Sequence, residues 1–455
     1  MPDQPSNQGA ISVNRLTILC ALLIAAIGCA ARQAPSTAAQ DEWLALNRTY
    51  IELHARGDFE QALVVAQREV DLARAFTPRE NADLATSLNN LGVAYAALGR
   101  YEEAEAPLRS SLAMREKVLG PDHPEVATTL GNLGELLVAR DRAAEAEEVF
   151  IRALNIREAR FGAEDKDLAE LLNNLGELYF RKHLLDESEK MLRRSLAIRE
   201  RVLGTEDPQV ARTLDNLAGI EQARGRTDQA RLLLERSLGI KEKALGPGHP
   251  WLVTTLTSLA EVLMVQGNVA DAEAPARRAV DIASRAYGAG NVRTAVPLTT
   301  LGNVLRAQDR LNEAQEAYGM ALRLREAALP PDHIDIAISL GNLASLEYAR
   351  GRFAEADALY DRALGISEAS LGPDHPDVAQ LLFNLGVVNR KLGNLQRAET
   401  ALLRALEVRE KLYGPTDQSV AVTLESLAMT MEDAGREDSA AMYSQRAQAI
   451  RSRTP

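Results

Sequence analysis

Leucines recur along this chain with a period of 42 residues, and the positions around them repeat as well. A second leucine stands three residues before each of them, and Gly or Ala follows directly after. Such a fixed period indicates repeated supersecondary units. We call these positions the anchor leucines: Leu91, Leu133, Leu175, Leu217, Leu259, Leu301, Leu343, Leu385 and Leu427.

Each unit has the hydrophobic pattern of two helices. Leu88, Leu91 and Tyr95 fall at i, i+3 and i+7, which is one face of a helix. The next apolar stripe contains Ala104 and Leu108 at i and i+4. Neither helix can bury its apolar stripe alone, so neighbouring units must stack to complete the core. The pattern therefore predicts an all-α fold, an α-solenoid of helix-turn-helix units.

Gly and Pro residues mark the turns between these helices. Gly99 follows the first helix of its unit, where a left-handed residue often ends a helix. Asp141, His183 and Asp309 replace this glycine in three units. Residues 120–124, Gly-Pro-Asp-His-Pro, separate one unit from the next. We count ten units over residues 42–453, of which the first has diverged.

The motif from Leu88 to Ala104 resembles the tetratricopeptide repeat, and its 42-residue length is most similar to the kinesin-light-chain subtype. The resemblance implies a right-handed superhelix that binds proteins and has no catalytic role. It also implies that the residue before each anchor leucine lines a concave groove, where asparagine amides bind an extended peptide backbone. Six of the nine positions hold asparagine, and the other three hold Ser258, Thr300 and Ser426. The asparagines are Asn90, Asn132, Asn174, Asn216, Asn342 and Asn384.

Charged residues are expected on the same groove face. Glu135, Glu177 and Glu261 lie two residues after their anchor leucines. Arg306, Arg390 and Lys391 lie further along later first helices. The groove is therefore expected to be acidic in its N-terminal half, where it would accept basic segments, and more basic at the other end. Two alternatives remain open: the asparagines bond only within the array, and the charges are ordinary solvated side chains.

The N-terminal segment reads as a targeting signal. Leu16 to Gly28 is a short apolar run behind Arg15, which is typical of a signal peptide and too short for a comfortable bilayer span. The run ends at Gly28-Cys29 and resembles a bacterial lipoprotein signal, which implies a lipid on Cys29. We thus assign residues 1–28 to a signal peptide and 29–41 to the anchor and a flexible tether. By resemblance to lipoprotein sorting, Ala30 favours the outer membrane over the inner one.

The amino-acid composition disfavours or excludes several classes of binding and catalytic site. The net charge of −12 disfavours nucleic-acid binding. Both cysteines lie within the first 30 residues, so the repeats have no thiol for a zinc site, a disulfide or a nucleophile. We find no phosphate loop or zinc-protease motif, and we predict no catalytic residue, metal or cofactor.

The sequence therefore predicts a non-enzymatic scaffold that is tethered to a bacterial membrane, faces the periplasm and binds proteins or extended peptides. Two alternatives stand beside it. The chain is a structural subunit of an envelope assembly, or it is a cytoplasmic adaptor if the N-terminal signal is misread.

Overall fold

The computed structural model describes residues 38–75, 81–163 and 165–452. Cys29, the signal peptide and most of the tether lie outside these residues. Two compact units divide the described chain, one ending at Ala244 and the other beginning at Leu245.

The described residues form twenty α-helices and one 3₁₀ turn, Val292–Thr294. The all-α solenoid predicted from the sequence is therefore confirmed, and its first helix begins at Ala38. In chain order the helices are α1 Ala38–Arg56, α2 Phe59–Ala73, α3 Ala82–Ala97, α4 Tyr101–Leu119, α5 Pro124–Ala139, α6 Ala143–Phe161, α7 Lys166–Arg181, α8 Leu185–Leu203, α9 Pro208–Ala223, α10 Thr227–Leu245, α11 Leu252–Val265, α12 Val269–Tyr287, α13 Ala295–Ala307, α14 Leu311–Ala328, α15 Ile334–Ala349, α16 Phe353–Leu371, α17 Pro376–Lys391, α18 Leu395–Tyr413, α19 Gln418–Asp433 and α20 Glu437–Arg451.

Small residues let the two helices of a unit approach closely. A Cβ added at Gly92 in α3 would lie 2.6 Å from Cγ of Leu108 in α4. Ala104 of α4 is fully buried in the same contact region. A larger side chain at position 92 would overpack this interface at a cost of about 1–3 kcal/mol. The small residue after each anchor leucine therefore sets the helix spacing within the unit.

The turns have the backbone conformations that the sequence predicts. Asp141, His183 and Asp309 have φ angles of 58°, 57° and 60° where other units use a left-handed glycine. The next unit then begins with a capped helix. His123, for example, accepts a hydrogen bond at Nδ1 from the backbone N–H of Glu125. Such a cap satisfies one of the free donors at the start of α5.

Candidate functional site

The residues one before and two after each anchor leucine lie on one face of the first helix. We call this surface the ladder face. In α3 and α5 its asparagines bond to the preceding unit. Asn90 donates to Oδ1 of Asn47 at 2.9 Å and to Oε2 of Glu69 at 3.0 Å. Asn132 donates to Oδ1 of Asn89 at 2.9 Å and is 1% exposed. Its side chain therefore offers no exposed amide to a peptide, in contrast to the expectation for the groove.

The next two asparagines bond to the glutamates of the ladder face. Asn174 of α7 donates to Oε1 of Glu135 in α5 at 2.7 Å. Asn216 of α9 donates to Oε1 of Glu177 in α7 at 2.6 Å and to Asn173 at 3.2 Å. The predicted amides and carboxylates are thus brought together. They join successive units to each other across 39 residues.

Glu135 is the least satisfied carboxyl of this region. Its Oε2 is buried without a hydrogen-bond partner among the described residues. Burial raises the pKa of Glu135 well above its ordinary value, and the negative charge of Glu170 raises it further. Burial would raise the pKa of Glu170 too, but Arg212 and Arg199 outweigh it and hold that pKa below the ordinary value. Glu135 therefore keeps its proton to a higher pH than Glu170 does.

A buried arginine lies beneath this part of the ladder face. Arg199 of α8 is 1% exposed and ion-pairs with Glu170. Its Nη1 donates to Oγ1 of Thr213 at 2.6 Å and to the carbonyl oxygen of Gln209 at 2.9 Å. The guanidinium therefore joins α7, the first helix of its own unit, to α9, the first helix of the next unit. Equivalent buried arginines stand at Arg115, Arg157, Arg325 and Arg409.

The sequence does not reveal that this arginine is buried. A recurring Arg-Glu pair late in the second helix is visible at Arg199-Glu200 and in other units. Arginine is seldom buried unless it is paired, so the repetition alone reads as solvated charge. Its partners are a hydroxyl 14 residues later and a carboxylate 29 residues earlier. An arginine with a hydroxyl residue 14 positions later and a carboxylate 29 positions earlier is the sequence pattern that could have predicted its burial.

The ladder face is different in α15 and α17. Asn342 and Asn384 are partly exposed. Asn384 accepts a hydrogen bond at Oδ1 from Gln380 of its own helix at 2.9 Å. Within the described ranges, no hydrogen bond joins Asn342 to another residue. These amides are therefore the predicted ladder residues with the greatest freedom to meet a ligand.

The comparisons with known proteins agree with the repeat pattern. The family model for the tetratricopeptide repeat matches residues 51–117, 83–159, 167–243, 214–274, 251–327, 335–411 and 384–453. These overlapping matches span most of the chain. The chain belongs to the tetratricopeptide repeat family. A tetratricopeptide repeat array is typically a protein-binding scaffold without a catalytic role.

Solved tetratricopeptide repeat structures show the same fold at low identity. A Rap protein complexed with competence and sporulation factor is 15% identical, with a TM-score of 0.55 over 82% of this chain and 99% of its own. A signal-transduction ATPase with a tetratricopeptide repeat sensor from Pyrococcus horikoshii is 14% identical, with a TM-score of 0.57 over 80% of this chain and 52% of its own. A putative kinesin light chain from Podosopora anserina is 20% identical, with a TM-score of 0.41 over 45% and 97%. No curated protein sequence matches significantly.

The part of the chain that the structure describes has neither a membrane-spanning helix nor a cluster of metal ligands. In residues 38–75, 81–163 and 165–452, no helix has the length and apolar character needed to cross a membrane. Across the same ranges, no three His, Cys, Asp or Glu side chains form a group that could hold a metal ion.

Proposed function

We propose that this tetratricopeptide repeat protein is a non-enzymatic scaffold, anchored in the cell envelope through a lipid on Cys29, that binds extended segments of partner proteins. The observation that carries the binding proposal is the partly exposed pair Asn342 and Asn384 on the ladder face of α15 and α17. A carboxamide offers both a donor and an acceptor to a peptide backbone. The complex between a Rap protein and competence and sporulation factor supports peptide binding by such a fold.

The binding proposal is tested by capture of partners from native membranes. The bait is the protein with Asn342→Ala and Asn384→Ala, compared with the parent. Asn268→Ala is the matched control, because Asn268 lies between α11 and α12 and its side chain forms no cap hydrogen bond. Each lost bond is worth about 0.5–1.5 kcal/mol, so two should weaken capture by roughly tenfold. Equal capture by all three baits would refute this use of the ladder face.

The anchoring proposal has its own test. Cys29→Ser should leave the protein in the soluble envelope fraction or with an uncleaved signal, whereas the parent sediments with membranes. We expect the parent in the outer-membrane fraction. Stable anchoring needs more than one acyl chain, so the mass of the mature N-terminus gives a direct check. An unmodified Cys29 would contradict the lipid anchor and would favour the cytoplasmic adaptor.

A further inference from the structure

The junction between α12 and α13 lacks the buried arginine bond that joins other units. At the end of α14, Arg325 donates from Nη1 to Oγ of Ser339 in α15 at 2.6 Å. The residues 42 positions before this pair are Ala283 of α12 and Pro297 of α13, and both are buried. Neither side chain carries a polar group. This junction therefore has neither the guanidinium nor the hydroxyl that accepts its bond.

A surface ion pair between second helices is also missing at this junction. Arg362 of α16 pairs with Glu326 of α14 at 2.7 Å. The matching positions one unit earlier hold Met320 of α14, which is 39% exposed, and Ser284 of α12. Because neither residue is charged, they cannot form this ion pair. The end of α12 thus lacks both of the links that the end of α14 makes to the next unit.

The turn after α12 is less constrained than the corresponding turn after α16. It reads Gly-Ala-Gly-Asn at residues 288–291, whereas residues 372–376 read Gly-Pro-Asp-His-Pro. Glycine gives the open chain more conformational freedom, and proline gives it less. The turn leads into the 3₁₀ turn Val292–Thr294, so α13 has 13 residues where α17 has 16.

Thr294 adds a second reason for this turn to open. Its side chain is fully buried, and its Oγ1 has no hydrogen-bond partner in the described part of the chain. A buried hydroxyl without a partner has lost its bonds to water and gained none in return. Opening of the turn lets water reach this hydroxyl, which favours the open state.

The opposite edge of the junction is held by two ion pairs. Arg277 of α12 lies 3.1 Å from Glu313 of α14, and Arg310 lies 2.7 Å from Glu273 of α12. These contacts belong to the first half of α12. Ala283 lies ten residues after Glu273, which is about 15 Å along a helix. The ion pairs of this junction thus lie at one edge, and the turn lies at the other.

We infer that the junction of α12 with α13 is a one-sided hinge of the array. Its edge at residues 288–291 opens, and its edge at the ion pairs of Arg277 and Arg310 stays closed as the axis. The stability of a solenoid is close to a sum of unit and nearest-neighbour terms, so an array divides at a poor interface. Opening tilts α13 relative to α11, whose Glu261 accepts a hydrogen bond from Thr300 at 3.1 Å across the ladder face. The hinge is independent of what the ladder face binds.

Amide hydrogen exchange of the full chain tests the hinge, because protected amides exchange through local opening. Residues 285–297 and 369–381 occupy the same register two units apart. Residues 285–297 should be at least about tenfold less protected than residues 369–381. At the axis, residues 303–313 should be as well protected as their counterparts, residues 387–397.

Two pairs of substitutions restore the missing links. Ser284→Glu with Met320→Arg recreates the surface ion pair and should raise the protection of residues 285–297 about threefold, with less effect at high salt. Ser284→Gln with Met320→Gln is the matched control, because it lengthens the same side chains without adding charge. Ala283→Arg with Pro297→Thr recreates the buried bond and should raise the protection about tenfold. Circular dichroism and the thermal midpoint check the fold of each variant.

A further variant tests the axis. Arg310→Gln removes the ion pair with Glu273 and should extend the loss of protection to residues 303–313. Low protection of these residues in the parent would show that the junction separates along its whole length, which contradicts a one-sided hinge.

Equal protection of residues 285–297 and 369–381 in the parent would overturn the inference. If both substituted pairs fold but neither raises the protection of residues 285–297, the missing links do not cause the opening, and the inference fails. If the buried pair disturbs the fold, the surface pair and its uncharged control decide alone, since they leave the fully buried positions unchanged.

Discussion

The ladder face of α5, α7 and α9 and that of α13, α15 and α17 use the same register positions in opposite ways. In the first, Asn174 and Asn216 give their amides to Glu135 and Glu177 of the preceding unit. In the second, Asn342 is partly exposed and has no hydrogen bond among the described residues, and Asn303 is bonded from below by Tyr318. On α5, α7 and α9 the amides are used in bonds between units, and we call this the closed surface. On α13, α15 and α17 amide donors remain available to a ligand.

The difference teaches that a repeat position does not have one fixed role. An asparagine before the anchor leucine joins units when the preceding unit supplies a glutamate 39 residues earlier, as with Glu135 and Asn174. In α13 and α15 the corresponding acceptor positions are Asn303 and Ser345, and tyrosines occupy their oxygens. The role of each asparagine is therefore set by its partner in the neighbouring unit.

The largest expected effect is at the buried arginine beneath the closed surface. Arg199→Met removes one of the two guanidinium groups that pair with Glu170, the other being that of Arg212, and it also removes the bonds to Thr213 and Gln209. It should lower the free energy of unfolding by about 3–5 kcal/mol. Ser367→Ala is the matched change, because Ser367 occupies the same register position four units later and is 1% exposed. It should cost less than about 1.5 kcal/mol. Urea titration of both variants measures the two costs.

Similar losses for Arg199→Met and Ser367→Ala would contradict the view that the buried arginine, with its ion pair to Glu170 and its bonds to the next unit, stabilises the first region. In that case the close packing of small residues such as Gly92 and Ala104 would be the main source of stability in every unit.

A second effect concerns the proton on Glu69 of α2, which accepts a hydrogen bond from Asn90 of α3. Glu69 is fully buried, and burial raises its pKa from 4.5 to about 7 against the opposing bond from Asn90. The folded state therefore holds a proton that the unfolded chain releases above pH 4.5. Stability should fall as the pH rises from 4.5 to about 7, and the loss should then level off. At about 1.36 kcal/mol per pKa unit, the full loss is roughly 3 kcal/mol.

Glu69→Gln isolates this effect, because a glutamine keeps the shape without the titration. The difference in unfolding free energy between the parent and Glu69→Gln, measured at about pH 5 and about pH 8, should change by roughly 3 kcal/mol in favour of the variant. His54, whose pKa is lowered to about 4 by burial, destabilises the fold as the pH falls, but it contributes equally to both proteins. Trp43 reports on this unit, since its Nε1 donates to Ser87 at 2.8 Å. A constant difference would show that Glu69 is ionised in the fold.

The sequence predicts the fold in detail because each unit repeats a local pattern. The left-handed conformation at Asp141, His183 and Asp309 follows from their register with glycines, and the structure confirms it. The candidate site is only partly predictable. Asn132 and Asn342 occupy the same position in the repeat. Whether such an amide is accessible to a ligand depends on hydrogen bonds to residues 39 to 43 positions earlier in the chain. Tyr318 and Tyr360 stand where core residues are expected, so their hydroxyls give no signal in the hydrophobic pattern.

The smallest expected effect comes from deleting one amide on each surface. Asn174→Ala leaves a Glu135 oxygen buried without its donor and should cost about 1–3 kcal/mol of stability. Asn342→Ala removes a partly exposed amide without a bonded neighbour in the described chain and should change stability by less than about 0.5 kcal/mol. The same two variants should show the reverse order in peptide binding, because only Asn342 is free to donate to a ligand. If Asn174→Ala keeps full stability and loses the peptide instead, the first surface opens to ligands, and the comparison between the two regions is wrong.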